Sequence, residues 1–125
     1  VIISHKYKFI FIKTHKTAST SLEIALSKFC GERDVISKIE PKDELLRSRL
    51  GYRSPQNYRI PYKYYNYRDW LNIFFLKSSK EYRNHMKASE IRRYISPAIW
   101  TSYFKFCFER NPYDKIISLK YYIEN

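Results

Sequence analysis

The sequence of 125 residues predicts an α/β fold, a parallel sheet flanked by helices. Two runs, residues 8–12 and 104–108, have strand character, and each leads through a short polar loop into helical spacing. Hydrophobic residues make up 44% of the chain and aromatic residues 18%, which is enough for a packed core and excludes a disordered tail. The length predicts at most one domain.

The first strand–loop–helix unit begins with residues 8–12, which are apolar on both faces, as expected of a central parallel strand. A polar loop follows at residues 13–17. The hydroxyl residues at positions 19–21 are predicted to cap the next helix, because their side chains can accept from its free N–H groups. Gly31 is predicted to end that helix at the C′ position.

The middle of the chain gives weaker signals. Pro41 marks a break, and a short helix is predicted over residues 42–49. Residues 51–70 interleave tyrosines with Lys and Arg and predict a long, irregular, aromatic and basic loop. Its rings would either form a binding surface or cover the sheet, and the sequence favours neither.

The second unit follows two predicted helices, one over residues 88–95 and one that begins at Pro97. Residues 104–108 alternate strictly between apolar and polar and predict a strand. The strand ends in the segment 109–112, and helical spacing returns from Tyr113 onward.

Composition excludes several classes of protein. The 24 Lys and Arg against 12 Asp and Glu give a net charge of +12, but an AT-rich genome raises the Lys content without a functional cause, so the charge alone does not indicate a partner. Two glycines in the whole chain exclude the glycine-rich dinucleotide fingerprint and the Walker loop. Two cysteines exclude a disulfide scaffold and predict free thiols.

No apolar run approaches the ~18 residues that a membrane-spanning helix needs. The sequence begins at Val1 without an initiator Met or a secretory leader. We therefore expect an interior piece of a longer chain.

Each strand runs into a loop that bears basic and hydroxyl side chains and opens a helix, a common phosphate-binding geometry in α/β sheets. Lys16 supplies an ammonium group in the first loop. In the second, Arg110 ends the strand and Ser118 lies about two turns into the helix, so both reach one ligand only if that helix leans across it. Ordinary helix caps would use the same residue types, so either loop alone leaves the interpretation open.

Residues 11–22 resemble the 5′-phosphosulfate motif of sulfotransferases that use 3′-phosphoadenosine 5′-phosphosulfate (PAPS), and the loop itself spans residues 13–22. Among these enzymes, the segment is most similar to the carbohydrate sulfotransferases, which are family 2-like. Residues 104–119 resemble the matching 3′-phosphate motif, and residues 85–91 resemble a His-led segment that often precedes it. Two departures are Ala18-Ser19, where Gly-Gly or Ala-Gly is frequent, and Glu109, which replaces an apolar residue.

The resemblance implies a partial sulfotransferase domain over residues 1–125, with an incomplete sheet related to the P-loop nucleotide kinases. It implies transfer of a sulfuryl group from PAPS to a hydroxyl acceptor, expected to be a carbohydrate, without a metal. Lys16 would be catalytic, and His85 is the candidate base, with Glu81, Glu90, Glu109 and His15 as alternatives. The residues implied to bind PAPS are Lys16, Thr17, Ala18, Ser19, Thr20, Ser21, Arg110 and Ser118.

Two other interpretations stay open. One is nucleic-acid binding, because basic charge interleaved with aromatic residues is also typical of nucleic-acid grooves. If the chain is a sulfotransferase, we expect no nucleic-acid partner. A P-loop-like kinase is the other, and the scarcity of glycines and metal-binding carboxylates counts against it. A microbial protein of this kind would be cytoplasmic, and one with an upstream membrane anchor would face the Golgi lumen.

Overall fold

A mixed sheet forms the centre of the computed structural model, which describes residues 1–124. Its strands are β1 (Ile2–Ser4), β2 (Phe9–Phe11), β3 (Val35–Ile36) and β4 (Phe104–Phe106). The helices in the described range are α1 (Ser19–Ser27), α2 (Pro41–Arg49), α3 (Tyr67–Leu76), α4 (Ala88–Arg93), α5 (Pro97–Ser102) and α6 (Pro112–Glu124). The α/β class predicted from the sequence is therefore confirmed.

The strands lie in the order β3-β1-β2-β4. The pair β2 and β4 is parallel, with Phe9 opposite Phe104 and Phe11 opposite Phe106. Strand β1 is antiparallel to both of its neighbours, so the sheet, which the sequence predicted as parallel, is parallel only in part. The cause is local: β1 was not predicted, and the tight turn that joins it to β2, with Lys8 at φ 55°, permits only antiparallel pairing.

Both faces of the sheet are covered, as the doubly apolar run at residues 8–12 predicts. Side chains alternate along β2, so Ile10 packs in one apolar cluster with Ile91, whereas Phe11 packs in the other with Leu22 of α1. Both Ile10 and Phe11 are fully buried. Burial of each such side chain contributes roughly 1.5–3 kcal/mol, so β2 is held firmly at the point where the first loop leaves it.

The ends of α1 differ from the prediction. Ala18, in the left-handed region at φ 54°, occupies the N-cap position, and Ser19 already lies inside the helix. The helix ends at Ser27, before Gly31. Gly31 instead donates its N–H to Asp34 Oδ2 at 2.8 Å, so it belongs to a turn organised by that carboxylate and does not cap the helix.

The aromatic segment is shorter as a loop than predicted, because α3 begins inside it at Tyr67. A capping box starts the helix: Asn66 Oδ1 accepts from the Asp69 N–H at 3.0 Å, and Asp69 Oδ2 accepts from the Asn66 N–H at 2.9 Å. The predicted helices at residues 42–49, 88–95 and from Pro97 correspond to α2, α4 and α5.

The rings of this segment divide between the two roles left open by the sequence. Tyr64 and Tyr65 pack against the core, and the Tyr65 hydroxyl accepts from the Lys80 N–H at 2.7 Å. Tyr62 and Trp70 stack at a centroid distance of 5.5 Å, and both are exposed. Some rings therefore cover the sheet, while others face solvent.

Candidate functional site

The loop between β2 and α1 is held by hydrogen bonds among its own hydroxyls. Ser19 Oγ donates to the Thr14 carbonyl at 2.7 Å. The Thr14 hydroxyl donates its one proton to the Phe108 carbonyl. In its contact with the Thr17 hydroxyl, 2.8 Å away, Thr14 Oγ1 is therefore the acceptor and Thr17 is the donor. The hydroxyls of Thr17 and Ser19, which the resemblance implies bind PAPS, thus make hydrogen bonds within the loop.

The amino end of α1 is open to an anion. Ala18 at its N-cap has a methyl side chain, which cannot accept from the first N–H groups of the helix. Thr20 is half-buried and Ser21 exposed, so both hydroxyls are accessible beside those N–H groups. The partial positive charge at a helix amino end favours an anion in this position.

The second predicted loop lies beside the first. The Ile12 N–H donates to the Phe106 carbonyl at 2.9 Å, which extends the parallel β2–β4 pairing past the strand ends. One step farther, the Thr14 side chain donates to the Phe108 carbonyl. Residues 13–18 and 107–111 therefore leave the same edge of the sheet next to each other.

Helix α6 leans over the first loop. The Lys16 ammonium lies 3.4 Å from the centre of the Tyr122 ring. Ser118 precedes Tyr122 by about one helical turn and shares its face of α6. Ser118 therefore lies on the face of α6 that includes Tyr122, the residue that contacts the first loop.

Arg110 is exposed at the same edge, between β4 and α6. Its backbone N–H donates to Glu109 Oε1 at 3.1 Å. Glu109 also accepts from Lys115 Nζ at 2.7 Å, and these two hydrogen bonds lower the pKa of its carboxyl group. Glu109 is therefore engaged by two hydrogen bonds that it would have to give up to act as a base.

The other two carboxylates considered as bases also have partners. Glu81 Oε2 pairs with Lys38 Nζ at 3.3 Å. Glu90 Oε2 accepts from the Lys87 N–H at 2.9 Å, where it caps α4. Both carboxylates therefore have structural contacts that a base would have to share.

His85 lies against the first loop. Its imidazole ring stacks on that of His15 with a centroid distance of 3.8 Å and an interplanar angle of 10°. Its Nδ1 atom is buried and has no hydrogen-bond partner within residues 1–124. Burial, helped by the charges of His15 and Lys13, lowers the pKa of His85 to about 4, so the ring is unprotonated at neutral pH and less basic than an ordinary histidine.

A buried ion pair supports the loop from below. Lys13 Nζ, at the end of β2, lies 3.2 Å from Glu23 Oε2 on α1, and both side chains are almost completely buried. Burial alone would raise the pKa of Glu23, but the positive charges beside it, among them Lys13, outweigh burial and lower that pKa. The pair ties both ends of the loop together.

Three contacts at this site were not predicted from the sequence: the His15–His85 stack, the Lys16–Tyr122 contact and the Lys13–Glu23 pair. The position of Tyr122 four residues after Ser118 could have indicated the second. The third contact could have been indicated by Lys13 at the strand end and Glu23 on the buried side of α1, because two opposite charges at buried positions need each other as partners. Nothing in the spacing indicates that His15 meets His85.

A comparison with known protein families covers almost the whole chain: the family model described as "Sulfotransferase family" matches residues 1–122. The chain belongs to the sulfotransferase family. The match confirms the resemblance to family 2-like sulfotransferases that was drawn from the motifs. No curated protein and no solved structure matches the chain.

Membership of the sulfotransferase family defines the class of reaction. A sulfotransferase moves a sulfuryl group from a donor to an acceptor that carries a hydroxyl group. In the described part of this sulfotransferase, no group of three or more His, Cys, Asp or Glu side chains is arranged to hold a metal ion. None of the helices found within residues 1–124 is long and apolar enough to cross a membrane.

Proposed function

We propose that this sulfotransferase uses PAPS as its donor and a carbohydrate hydroxyl as its acceptor. The observation that carries the proposal is the parallel pairing of β2 and β4, extended by the hydrogen bond from Thr14 to the Phe108 carbonyl. This pairing brings two loops suited to anions to one edge of the sheet, and a nucleotide with phosphates at both its 5′ and 3′ positions needs two such loops.

The first loop fits a phosphosulfate. The free N–H groups at the start of α1, over residues 19–21, would bind the 5′-phosphate together with the N–H groups of Thr17 and Ala18. The hydroxyls of Thr20 and Ser21 would add hydrogen bonds. Lys16, in the same loop, would supply the full positive charge.

The second loop fits a 3′-phosphate. The Arg110 guanidinium is exposed beside the first loop and can form two parallel hydrogen bonds with phosphate oxygens. Ser118 is half-buried on the face of α6 that leans over the first loop, and its hydroxyl would donate to the same group. This pair would distinguish PAPS from ATP, which has no 3′-phosphate.

The chemistry requires positioning and charge stabilisation. PAPS supplies the sulfuryl group and leaves as adenosine 3′,5′-bisphosphate. His85 takes the proton from the acceptor hydroxyl as its oxygen bonds to sulfur, which a neutral imidazole can do. Lys16 stabilises the negative charge that develops on the bridging oxygen as the bond from that oxygen to sulfur breaks.

A polar cleft beside the His85 segment suits the acceptor. It has a volume of about 430 Å³ and is lined by Arg83 and Met86, which flank His85 in the sequence. Asp69, Lys80 and Tyr94 also line it. Charged donors and acceptors beside an aromatic ring are the groups that bind sugar hydroxyls and sugar C–H faces.

Thermal unfolding with three candidate ligands tests the proposal. We expect adenosine 3′,5′-bisphosphate to raise the melting temperature, because a ligand of the folded state stabilises it. ATP with Mg²⁺ should have a smaller effect, and transfer of ³⁵S-sulfate from PAPS to a glycan should follow. Preference for ATP with Mg²⁺ would favour a kinase, and strongly salt-dependent binding of oligonucleotides without any effect of the bisphosphate would favour a nucleic-acid binder.

A further inference from the structure

We propose that His15 is a positioning residue that orients the imidazole of His85 by ring stacking. The inference rests on the proposed function, in which His85 takes the acceptor proton, and it adds a residue to that site. His15 lies one residue before Lys16 in the phosphosulfate loop, whereas His85 comes from a segment between α3 and α4.

The geometry of the stack carries the inference. The planes of the two rings are nearly parallel, at 10°, and their centroids are 3.8 Å apart. That separation leaves no room for water between them, so each ring fixes the plane of the other. His85 is also at φ 57°, a region that non-glycine residues rarely adopt, so its backbone is held in one unusual conformation.

The stack gives His85 a position that its own hydrogen bonds do not provide. Its buried Nδ1 has no partner within the described residues, so the usual orienting hydrogen bond to a carboxylate or carbonyl is missing there. A histidine base normally needs such a second group to direct its free nitrogen at the substrate. The flat face of His15 would take over this task.

The charges around the pair also fit a base that remains neutral. The groups that act on His85 are His15 in the loop, Lys13 at the end of β2, the Val1 amino group, and Glu23 on α1. Only Glu23 favours the imidazolium form, while the others disfavour it. With burial, these charges keep the His85 imidazole unprotonated at neutral pH, so its nitrogen lone pair is free, and they make it a weaker base than an ordinary histidine.

The stack also joins the base to the donor loop. Any displacement of residues 13–17 moves His15 and therefore the ring of His85. Binding of the donor and orientation of the base would then be coupled, because both depend on the same loop.

The test compares the intact protein with His15→Phe, which keeps a flat ring, and His15→Ala, which removes it. We expect His15→Ala to lower kcat by roughly ten- to a hundredfold, as expected for a misplaced catalytic group, while the Kd for adenosine 3′,5′-bisphosphate changes by less than about twofold. His15→Phe should recover most of the turnover. In a His85→Ala background, His15→Ala should cost nothing further, because the group it positions is absent.

NMR titration of the His85 ring gives a second readout that requires no turnover. The pKa of His85 should be about 4 in the wild type and should move toward its ordinary value of 6.5 in His15→Ala, which exposes the ring. In His15→Phe it should stay closer to the wild-type value, because the ring remains covered.

Equal titration of His85 in all three proteins, or a loss of turnover in His15→Ala that persists in full in the His85→Ala background, would overturn the proposal. If His15→Ala does not fold, His15→Phe still decides: a loss of turnover as large as that of His85→Ala would contradict a stacking role. Failure of the proposed function looks different, since the wild type would then neither bind the bisphosphate nor transfer sulfate, while the titrations would still report on the stack.

Discussion

The Lys16 ammonium lies 3.4 Å from the centre of the Tyr122 ring, which joins the first loop to the last helix. Lys16 belongs to the loop that the resemblance assigns to the 5′-phosphate, and Tyr122 lies three residues after the motif at residues 104–119 that it assigns to the 3′-phosphate. A cation above an aromatic face is held by the electrostatic attraction of the ring. The contact therefore fixes Lys16 at the point where the first loop and α6 meet.

Removal of the Tyr122 ring should lower turnover. A cation–π contact contributes about 0.5–2 kcal/mol, so Tyr122→Leu should reduce kcat for sulfate transfer by about 2- to 30-fold, as the ammonium loses its fixed position. Tyr122→Phe keeps the ring face and should retain nearly full activity. Steady-state kinetics of both variants checks this, and wild-type turnover in Tyr122→Leu would show that the contact does not assist the reaction.

If His85 is the base, sulfate transfer should lose activity only at low pH. A group that accepts a proton must be deprotonated, and burial and the neighbouring cations lower the pKa of His85 to about 4. We therefore expect kcat/KM to hold through pH 5–6 and to fall as the pH drops through about 4. A profile measured from pH 4 to 8 tests this prediction, and an acidic limb near pH 6.5 would point to a histidine with an ordinary pKa.

The buried Lys13–Glu23 pair should stabilise the protein. Lys13→Met leaves the buried Glu23 carboxylate without this partner and should cost about 3 kcal/mol, which corresponds to a fall in Tm of about 10 °C. The matched control is Lys13→Met with Glu23→Gln, which removes both charges while the amide oxygen can still accept from the buried Ser37 hydroxyl, and it should recover part of the loss. Calorimetry measures both proteins, and equal Tm values for the single variant and the wild type would contradict the role of the pair.

The same pair predicts a dependence of stability on pH. The pKa of Glu23 in the folded protein is lowered from its ordinary 4.5, so its contribution is complete above that value and is lost as the pH falls through the folded pKa. Glu23→Gln should therefore show a shallower loss of Tm below pH 4.5 than the wild type. An identical slope in both proteins would assign the acid sensitivity to other carboxylates.

Local patterns predicted much of the fold. Strand β2, helices α2, α4 and α5, and the start of α6 lie near their predicted positions, because their apolar spacing and caps are local signals. The antiparallel hairpin partner β1 was missed, since a strand as short as Ile2–Ser4 shows too little alternation to be recognised. The start of α3 at Tyr67 was missed because its Asn66–Asp69 capping box lies among tyrosines and arginines typical of a loop.

For the candidate site, too, the sequence predicted the local features and missed the contacts between distant residues. Lys16, Arg110 and Ser118 were found because they stand at characteristic distances from strand ends. The contacts of His15 with His85 and of Lys16 with Tyr122 join residues distant in the sequence, and only the three-dimensional fold brings them together. The capping roles predicted for the hydroxyls at positions 19–21 were wrong, because Ala18 takes the N-cap and Ser19 bonds back to Thr14.

The central claim is that the loops at Lys16 and Arg110 bind the two ends of one nucleotide. Isothermal calorimetry with adenosine 3′,5′-bisphosphate and with 5′-AMP tests it on the wild type, Lys16→Ala, Arg110→Ala and Arg92→Ala, an exposed arginine of α4 that controls for net charge. We predict that Lys16→Ala weakens both ligands, that Arg110→Ala weakens only the bisphosphate, by about 10- to 100-fold, and that Arg92→Ala weakens neither. Unchanged affinity for the bisphosphate in Arg110→Ala, or an equal loss in Arg92→Ala, would contradict the claim.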